Sequence, residues 1–146
     1  MNFNSGLNNA INKAFQIRIK RNWDHIYFAV DIHDTIVQSN YTAGNIPTEF
    51  YPVAMEALQI LTERKDVKLI MYTCSHPHEI QQYLDFFESN GIHFDFVNEN
   101  TDVKTDMEGY GNYDKKPYFN VLLDDKAGFN PYEDWEMVYA LAVSAH

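Results

Sequence analysis

The segment FAVDIHDTIV, residues 28–37, places three ionisable side chains directly after an apolar run. These are Asp31, His33 and Asp34, and a second acidic pair, Asp124 and Asp125, ends the later run FNVLLDD. Carboxylates crowded into one cleft repel each other, and a divalent cation relieves that repulsion. Because the candidate ligands are oxygen atoms, the residues favour Mg²⁺ over zinc.

Two further side chains have the chemistry to act on a phosphate near such an ion. Thr73 ends the apolar run VKLIMYT and offers a hydroxyl, and Lys116 lies eight residues before Asp124. A metal ion, an ammonium and a hydroxyl together neutralise and hold a phosphoryl group. A carboxylate that is not fully committed to the metal can attack phosphorus. We therefore predict phosphoryl chemistry.

The elements that position these residues follow from the hydrophobic pattern. Short apolar runs typical of buried strands alternate with segments of helical period. This alternation predicts an α/β fold: a Rossmann-like three-layer sandwich with a parallel central sheet. The carboxyl ends of parallel strands share one edge, which would gather the candidate residues. The predicted strands are 25–30, 67–73, 92–98 and 119–125, and the predicted helices between and after them are 47–66, 76–91 and 133–145.

Local signals refine these boundaries. Thr48 is predicted to cap the helix 47–66, and Gly91 suits the C-terminal cap of the helix 76–91. Residues 1–24 have helical spacing and a local positive charge, so we predict an N-terminal helical extension that packs on the domain or on a partner. Residues 25–146 then form the main domain.

Composition restricts the classes of function. The chain has 146 residues, of which 45% are hydrophobic, enough for one domain with a packed core. Its formal charge of −10 disfavours nonspecific binding to nucleic-acid backbones. Cys74 is the single cysteine, which excludes an intrachain disulfide and favours a reducing, cytoplasmic setting. No apolar run approaches the roughly 18 residues that span a bilayer, so no membrane contact is predicted.

Three segments, in this order, resemble the motifs of the haloacid dehalogenase superfamily of phosphohydrolases: FAVDIHDTIV, LIMYT and KPYFNVLLDD. The resemblance implies a Mg²⁺-dependent phosphomonoesterase that acts through an aspartyl-phosphate on Asp31. It further implies that Thr73 binds the phosphoryl group and that Lys116 stabilises its charge. Asp124 or Asp125 would bind the metal, with Asp125 as the direct ligand, and Thr35 would stabilise the loop.

His33 departs from this pattern, because the family usually has an aspartate there as general acid and base. The backbone carbonyl of His33 can still bind Mg²⁺. Neighbouring carboxylates are expected to raise the pKa of the imidazole and keep it protonated near neutral pH. Three alternatives follow: a phosphatase that uses His33 as acid and base, a slower enzyme with another proton source, or an attenuated metal- and phosphate-binding module that acts through protein partners.

The connections after the first and second motifs are too short to hold a folded cap domain. In the family, this capless form implies an open site for larger substrates, or closure by a partner subunit in a homo-oligomer. The predicted substrate is a phosphorylated small molecule or a nucleotide, with a nucleic-acid terminal phosphate as an alternative. The polar segment 99–115 is the internal candidate for a partial lid.

Overall fold

A computed structural model describes residues 3–42, 44–104, 111–113 and 116–146. Helices and strands alternate along the chain from the first strand to the third, as the hydrophobic pattern predicts. The elements are α1 (Ser5–Arg21), β1 (Ile26–Val30), α2 (Ala54–Glu63), β2 (Val67–Met71), α3 (Pro77–Ser89), β3 (Phe96–Val97), β4 (Val121–Leu123), a 3₁₀ turn (Asp125–Ala127) and α4 (Asp134–Ser144).

The four strands form one parallel sheet in the order β3-β2-β1-β4. The strand β1 is central and fully buried, with Phe28 in register with Leu69 on one side and Val121 on the other. Burial on both faces explains why IYFAV is continuously apolar rather than alternating. All four strands end at the same edge of the sheet.

The four helices form one large hydrophobic core with the strand side chains on the helical face of the sheet. From β1 this core takes Ile26, Phe28 and Val30. Its largest fully buried side chain is that of Trp135 in α4. The helical layer therefore packs directly against the first strand and stabilises its position.

The opposite face of the sheet carries a smaller cluster around Tyr27, Ala29 and Ile70. Tyr118 and Phe119, from the segment before β4, pack on it, and the Asn120 side chain accepts a 2.8 Å hydrogen bond from the Tyr27 amide. Within the described ranges, this third layer is non-helical chain. The α/β, Rossmann-like three-layer arrangement with a parallel sheet is confirmed.

The N-terminal helix α1 packs on the rest of the fold. Its buried side chains, among them Ile11 and Phe15, belong to the large core. The Asn4 side chain caps α1 by accepting from the Leu7 amide (3.1 Å) and donates to Asp134 of α4 (2.9 Å). The predicted boundary at residue 24 stays a prediction. Over the described ranges, no helix is both long and apolar enough to cross a bilayer.

The predicted start of the second helix is wrong. The helix α2 begins at Ala54 and not near Thr48, and Val53 precedes it in a left-handed conformation without a side-chain cap. The backbone of 49–51 instead pairs with the loop after β1: Gln38 donates to the Glu49 carbonyl and Tyr51 to that of Ile36, each at 2.9 Å. Gly91, with φ of +73°, follows the end of α3 as predicted.

Candidate functional site

Three aspartates meet at the edge where the strands end. Asp31 follows β1 and its amide donates to the Leu123 carbonyl of β4 (2.9 Å), which brings the two strand ends together. Asp124 and Asp125 follow β4. One carboxylate oxygen from each of the three lies within 4.8 Å of the others. The gathering predicted from the strand endings is therefore present.

Thr35 links this cluster. Its hydroxyl lies 3.0 Å from Asp31 Oδ2 and 3.3 Å from Asp125 Oδ1, so it donates its proton to one or the other. The same oxygen accepts from the Asp125 amide (3.0 Å). A single buried hydroxyl thus fixes the first loop relative to the end of β4, in agreement with its predicted role in stabilising that loop.

The loop that carries Thr35 is held by the core. The Ile32 carbonyl accepts from the amides of Thr35 and Ile36, which closes a compact turn. The buried Trp135 indole donates to the Thr35 carbonyl (2.8 Å). Asp34 has φ of +60°, a conformation that Asp tolerates better than most residues. Asp31 is therefore presented by a rigid frame that reaches into α4.

The electrostatics of Asp31 favour a bound cation. Burial and, after it, the charges of Asp124 and Asp125 together raise the pKa of its carboxyl to about 7, against the Thr35 hydrogen bond that lowers it. Oxygen ligands of an octahedral Mg²⁺ lie roughly 3 to 4 Å apart, comparable to the spacing of these carboxylates. A hard divalent cation would offset their repulsion, so this donor set fits Mg²⁺.

Thr73 lies at the same edge, after β2, and is buried. Its hydroxyl is 2.8 Å from the Ser75 hydroxyl and accepts from the Ser75 amide (3.1 Å). Asn98, after β3, holds the Thr73 backbone from both sides, accepting from its amide (2.8 Å) and donating to its carbonyl (2.7 Å). Thr73 thus lines the same cavity as the three aspartates, and its role in binding a phosphoryl group stays a prediction.

A cavity of about 770 Å³ opens above the aspartates. Thr73, Cys74 and Lys126 contribute to its wall together with Pro117. Lys116 is exposed and is not among the lining residues, so the structure does not bring its ammonium to the site. Its assigned role stays a prediction, and Lys126 is a second candidate cation. Residues 105–110 and 114–115 of the predicted lid lie outside the described residues.

His33 faces the cavity but is engaged by two tyrosines. Its Nε2 lies 2.6 Å from the Tyr83 hydroxyl and 2.7 Å from the Tyr41 hydroxyl. Burial lowers the pKa of the imidazole, and this outweighs the opposite effect of Glu79 and Asp34. The carboxylates raise this pKa as expected, but the expected net rise that keeps the ring protonated is wrong, because desolvation of the charged ring dominates.

Sequence reasoning missed several lining residues. Asn98 ends the third strand, so the same argument about strand endings would have identified it. Glu79 lies in the first turn of α3, and the helical period marked only the apolar face of that helix. Tyr41 and Ser75 lie in irregular chain, and no spacing in the sequence marks them.

Comparison with known proteins supports the fold alone. No model of a known protein family matches the chain, and no curated protein sequence matches it. Among solved structures, a protein from Bacteroides thetaiotaomicron, described only as a conserved protein, is similar with a TM-score of 0.59 and 21% identity. The match covers 84% of this chain and 93% of that chain.

Proposed function

We propose that the chain is a Mg²⁺-dependent phosphohydrolase of the haloacid dehalogenase type that removes a phosphoryl group from a phosphomonoester. The observation that supports this most is the aspartate cluster: three carboxylates within 4.8 Å, two of them beside the Thr35 hydroxyl, in the wall of one cavity. A purely structural role gives no reason to hold three such groups together, because their mutual repulsion opposes folding.

The metal would be held by Asp31, Asp125 and the backbone carbonyl of His33, with Asp124 beside them. Asp124 accepts a hydrogen bond from the Lys126 amide (3.0 Å) and Asp125 lies 3.3 Å from the Thr35 hydroxyl, and the family resemblance implies Asp125 as the direct ligand. When bound, Mg²⁺ would neutralise the aspartates and withdraw charge from the phosphoryl oxygens.

Asp31 is the proposed nucleophile. A bond forms between its carboxylate oxygen and phosphorus while the ester P–O bond breaks, and the leaving oxygen takes a proton. Water then attacks phosphorus, the acyl phosphate bond breaks, and the water proton is released. Thr73 and a lysine, Lys116 or Lys126, would hold the phosphoryl oxygens, and His33 is the candidate for moving the protons.

Hydrolysis of p-nitrophenyl phosphate in Mg²⁺ tests this proposal. We expect turnover that is lost in EDTA and in Asp31→Asn, and that is retained in Asp85→Asn, which makes the same charge change on the outside of α3. If the wild-type rate does not exceed that of Asp31→Asn at any pH from 5 to 9, the proposal is wrong.

The second candidate is an attenuated metal- and phosphate-binding module that acts through protein partners. The observation that favours it is the acid–base side of the cavity, where the His33 nitrogen is engaged by two tyrosines and Lys116 lies outside. The variant His33→Asp separates the two candidates. A gain in rate of ~10²-fold or more indicates attenuation, and a loss identifies His33 as the working acid.

We further infer a cytoplasmic setting, because the chain exposes a free thiol at Cys74, which persists best under reducing conditions. Loss of activity on oxidation, reversed by dithiothreitol, would agree with this setting. Sedimentation of the protein at micromolar concentration tests the homo-oligomer that the open site suggests.

A further inference from the structure

A second cavity of about 400 Å³ adjoins the one above the aspartates. The two share Tyr41 and Glu79 in their walls, and the second is completed in part by His78 and Gln82 of α3. We propose that this adjoining cavity is the subsite for the leaving group, and that it selects a planar group that is uncharged or positively charged. This inference rests on the proposed phosphohydrolase function.

Tyr41 gives the subsite a flat apolar surface. Its side chain is 57% exposed, although its hydroxyl is 2.7 Å from His33 Nε2 and its ring lies 5.5 Å from the imidazole. A large aromatic residue that is held at its polar end and is more than half exposed is suited to stacking on a planar ligand. Because Tyr41 borders both cavities, a group stacked on it would lie next to the phosphoryl position.

The charges around the site select against further negative charge. Within the part of the chain that the structure describes, the first cavity is lined by five carboxylates and one ammonium, that of Lys126. A bound divalent metal and a phosphoryl dianion would bring opposite and equal charge. The net negative charge of the lining side chains would therefore remain. Glu79 lies outside the aspartate cluster and borders the second cavity, where the leaving group would meet it.

This charge distribution decides between the substrates that the sequence leaves open. A nucleic-acid end carries a phosphodiester beside its terminal phosphate, and a diphosphate carries a second anionic group, so both would place negative charge near Glu79. Repulsion in such a cleft is only partly screened by solvent. We therefore infer a small phosphomonoester with a single phosphate and a planar, neutral or cationic remainder.

Three esters that differ in the charge of one para substituent test the charge preference: 4-(aminomethyl)phenyl, 4-(hydroxymethyl)phenyl and 4-(carboxymethyl)phenyl phosphate. The methylene group insulates the reacting oxygen from the substituent charge. We expect kcat/KM to fall in that order, with the cationic ester at least about tenfold above the anionic one. In Glu79→Gln this ratio should fall about three- to tenfold, whereas Asp85→Asn on the same helix should keep it.

Binding to Asp31→Asn in Mg²⁺, measured by calorimetry, repeats the comparison without turnover. The same order of affinities would support the subsite even if the wild type turned over none of the esters, which by itself would count against the proposed function. Equal affinities, tighter binding of the anionic ester, or an equal loss of the ratio in Glu79→Gln and Asp85→Asn would overturn the subsite.

Phenyl and cyclohexyl phosphate test the planar preference. Stacking on Tyr41 predicts that Asp31→Asn binds phenyl phosphate about three- to tenfold more tightly, and that adding Tyr41→Leu removes the difference. Equal affinity of the starting protein for both esters would overturn this part of the inference. Thermal unfolding of each variant excludes misfolding as the cause of a loss.

Discussion

The two sides of the candidate site are held in place in different ways. On the metal side, Asp31 and Asp125 lie beside the Thr35 hydroxyl, and Thr35 is itself fixed by the buried Trp135 indole. On the proton side, His33 is held by the hydroxyls of Tyr83, which is fully buried, and of Tyr41, which is 57% exposed. The first network is therefore held by buried residues, and the second depends in part on an exposed one.

This difference matters because the two sides would serve different steps of the proposed reaction. Charge concentration beside a buried hydroxyl is what binding of a metal and a phosphoryl group needs. Proton transfer needs a group whose pKa is near the working pH and whose nitrogen reaches the leaving oxygen. Burial lowers the pKa of His33, and its nitrogen is engaged, so we expect the proton side to limit the proposed reaction.

The largest effect is expected from breaking the metal side at Thr35. In Thr35→Val the shape is kept, but Asp31 and Asp125 lose their common hydroxyl and the Asp125 amide loses its acceptor. Loss of a group that hydrogen-bonds metal-binding side chains reduces metal affinity or activity by about 10- to 100-fold. Mg²⁺ titration calorimetry and phosphatase assays measure both, with the exposed Thr48→Val as control. Unchanged Mg²⁺ affinity would show that Thr35 does not organise the cluster.

The next largest effect is expected from replacing the two candidate lysines, Lys126 and Lys116. Because Lys126 lines the cavity and Lys116 does not, we expect Lys126→Met to lower kcat/KM for p-nitrophenyl phosphate about tenfold and Lys116→Met less than about twofold. The reverse result would show that Lys116 turns toward a bound phosphoryl group, as the family resemblance implies.

The pKa of Asp31 gives a stability test with a defined sign. Its carboxyl titrates at about 7 in the fold against 3.8 ordinarily, so its stabilising contribution is complete below pH 3.8 and is lost as the pH rises to about 7. In EDTA, Asp31→Asn should match wild type at pH 4 and exceed its unfolding free energy at pH 8 by about 2–4 kcal/mol.

Denaturant unfolding at both pH values measures this difference, with Asp85→Asn as a variant of equal charge. Addition of Mg²⁺ at pH 8 should reduce the advantage, because the wild type has one more carboxylate for the cation and binds it more tightly than Asp31→Asn does. An equal gain for Asp31→Asn at both pH values would contradict the raised pKa.

The smallest effect is expected on the proton side, from Tyr83→Phe. In the neutral tautomer whose Nε2 accepts from the Tyr83 hydroxyl, loss of that donor removes support from the neutral imidazole, so the pKa of His33 should rise by up to about one unit. NMR titration of the His33 ring in this variant and in Tyr139→Phe measures the shift. No change would show that the tyrosines only pack against His33.

Much of the fold could be predicted because burial leaves a clear pattern. The continuous apolar run of β1 and the helical spacing of α3 identified both elements, and the strand endings identified Asp31, Thr73, Asp124 and Asp125. The start of α2 could not be predicted, because the pairing of 49–51 with the loop after β1 overrides the cap signal of Thr48.

The wall of the site was less predictable, because tertiary contacts override or replace the local sequence signals there. Tyr41 and Ser75 lie in chain without a repeat, where tertiary contacts alone set their positions. The direction of the His33 pKa depends on how burial balances against nearby charge, and the sequence shows the charges but not the burial. The position of Lys116 also depends on the path of an irregular segment.

The proposed function requires that Asp31 receives a phosphoryl group beside a magnesium ion held by the aspartates. A crystal structure with Mg²⁺ and beryllium fluoride, which mimics the acyl phosphate, would show both positions. We expect the fluoride complex on an Asp31 carboxylate oxygen and the ion on Asp31 and Asp125. Beryllium fluoride absent from Asp31 while Mg²⁺ occupies another part of the protein would contradict it.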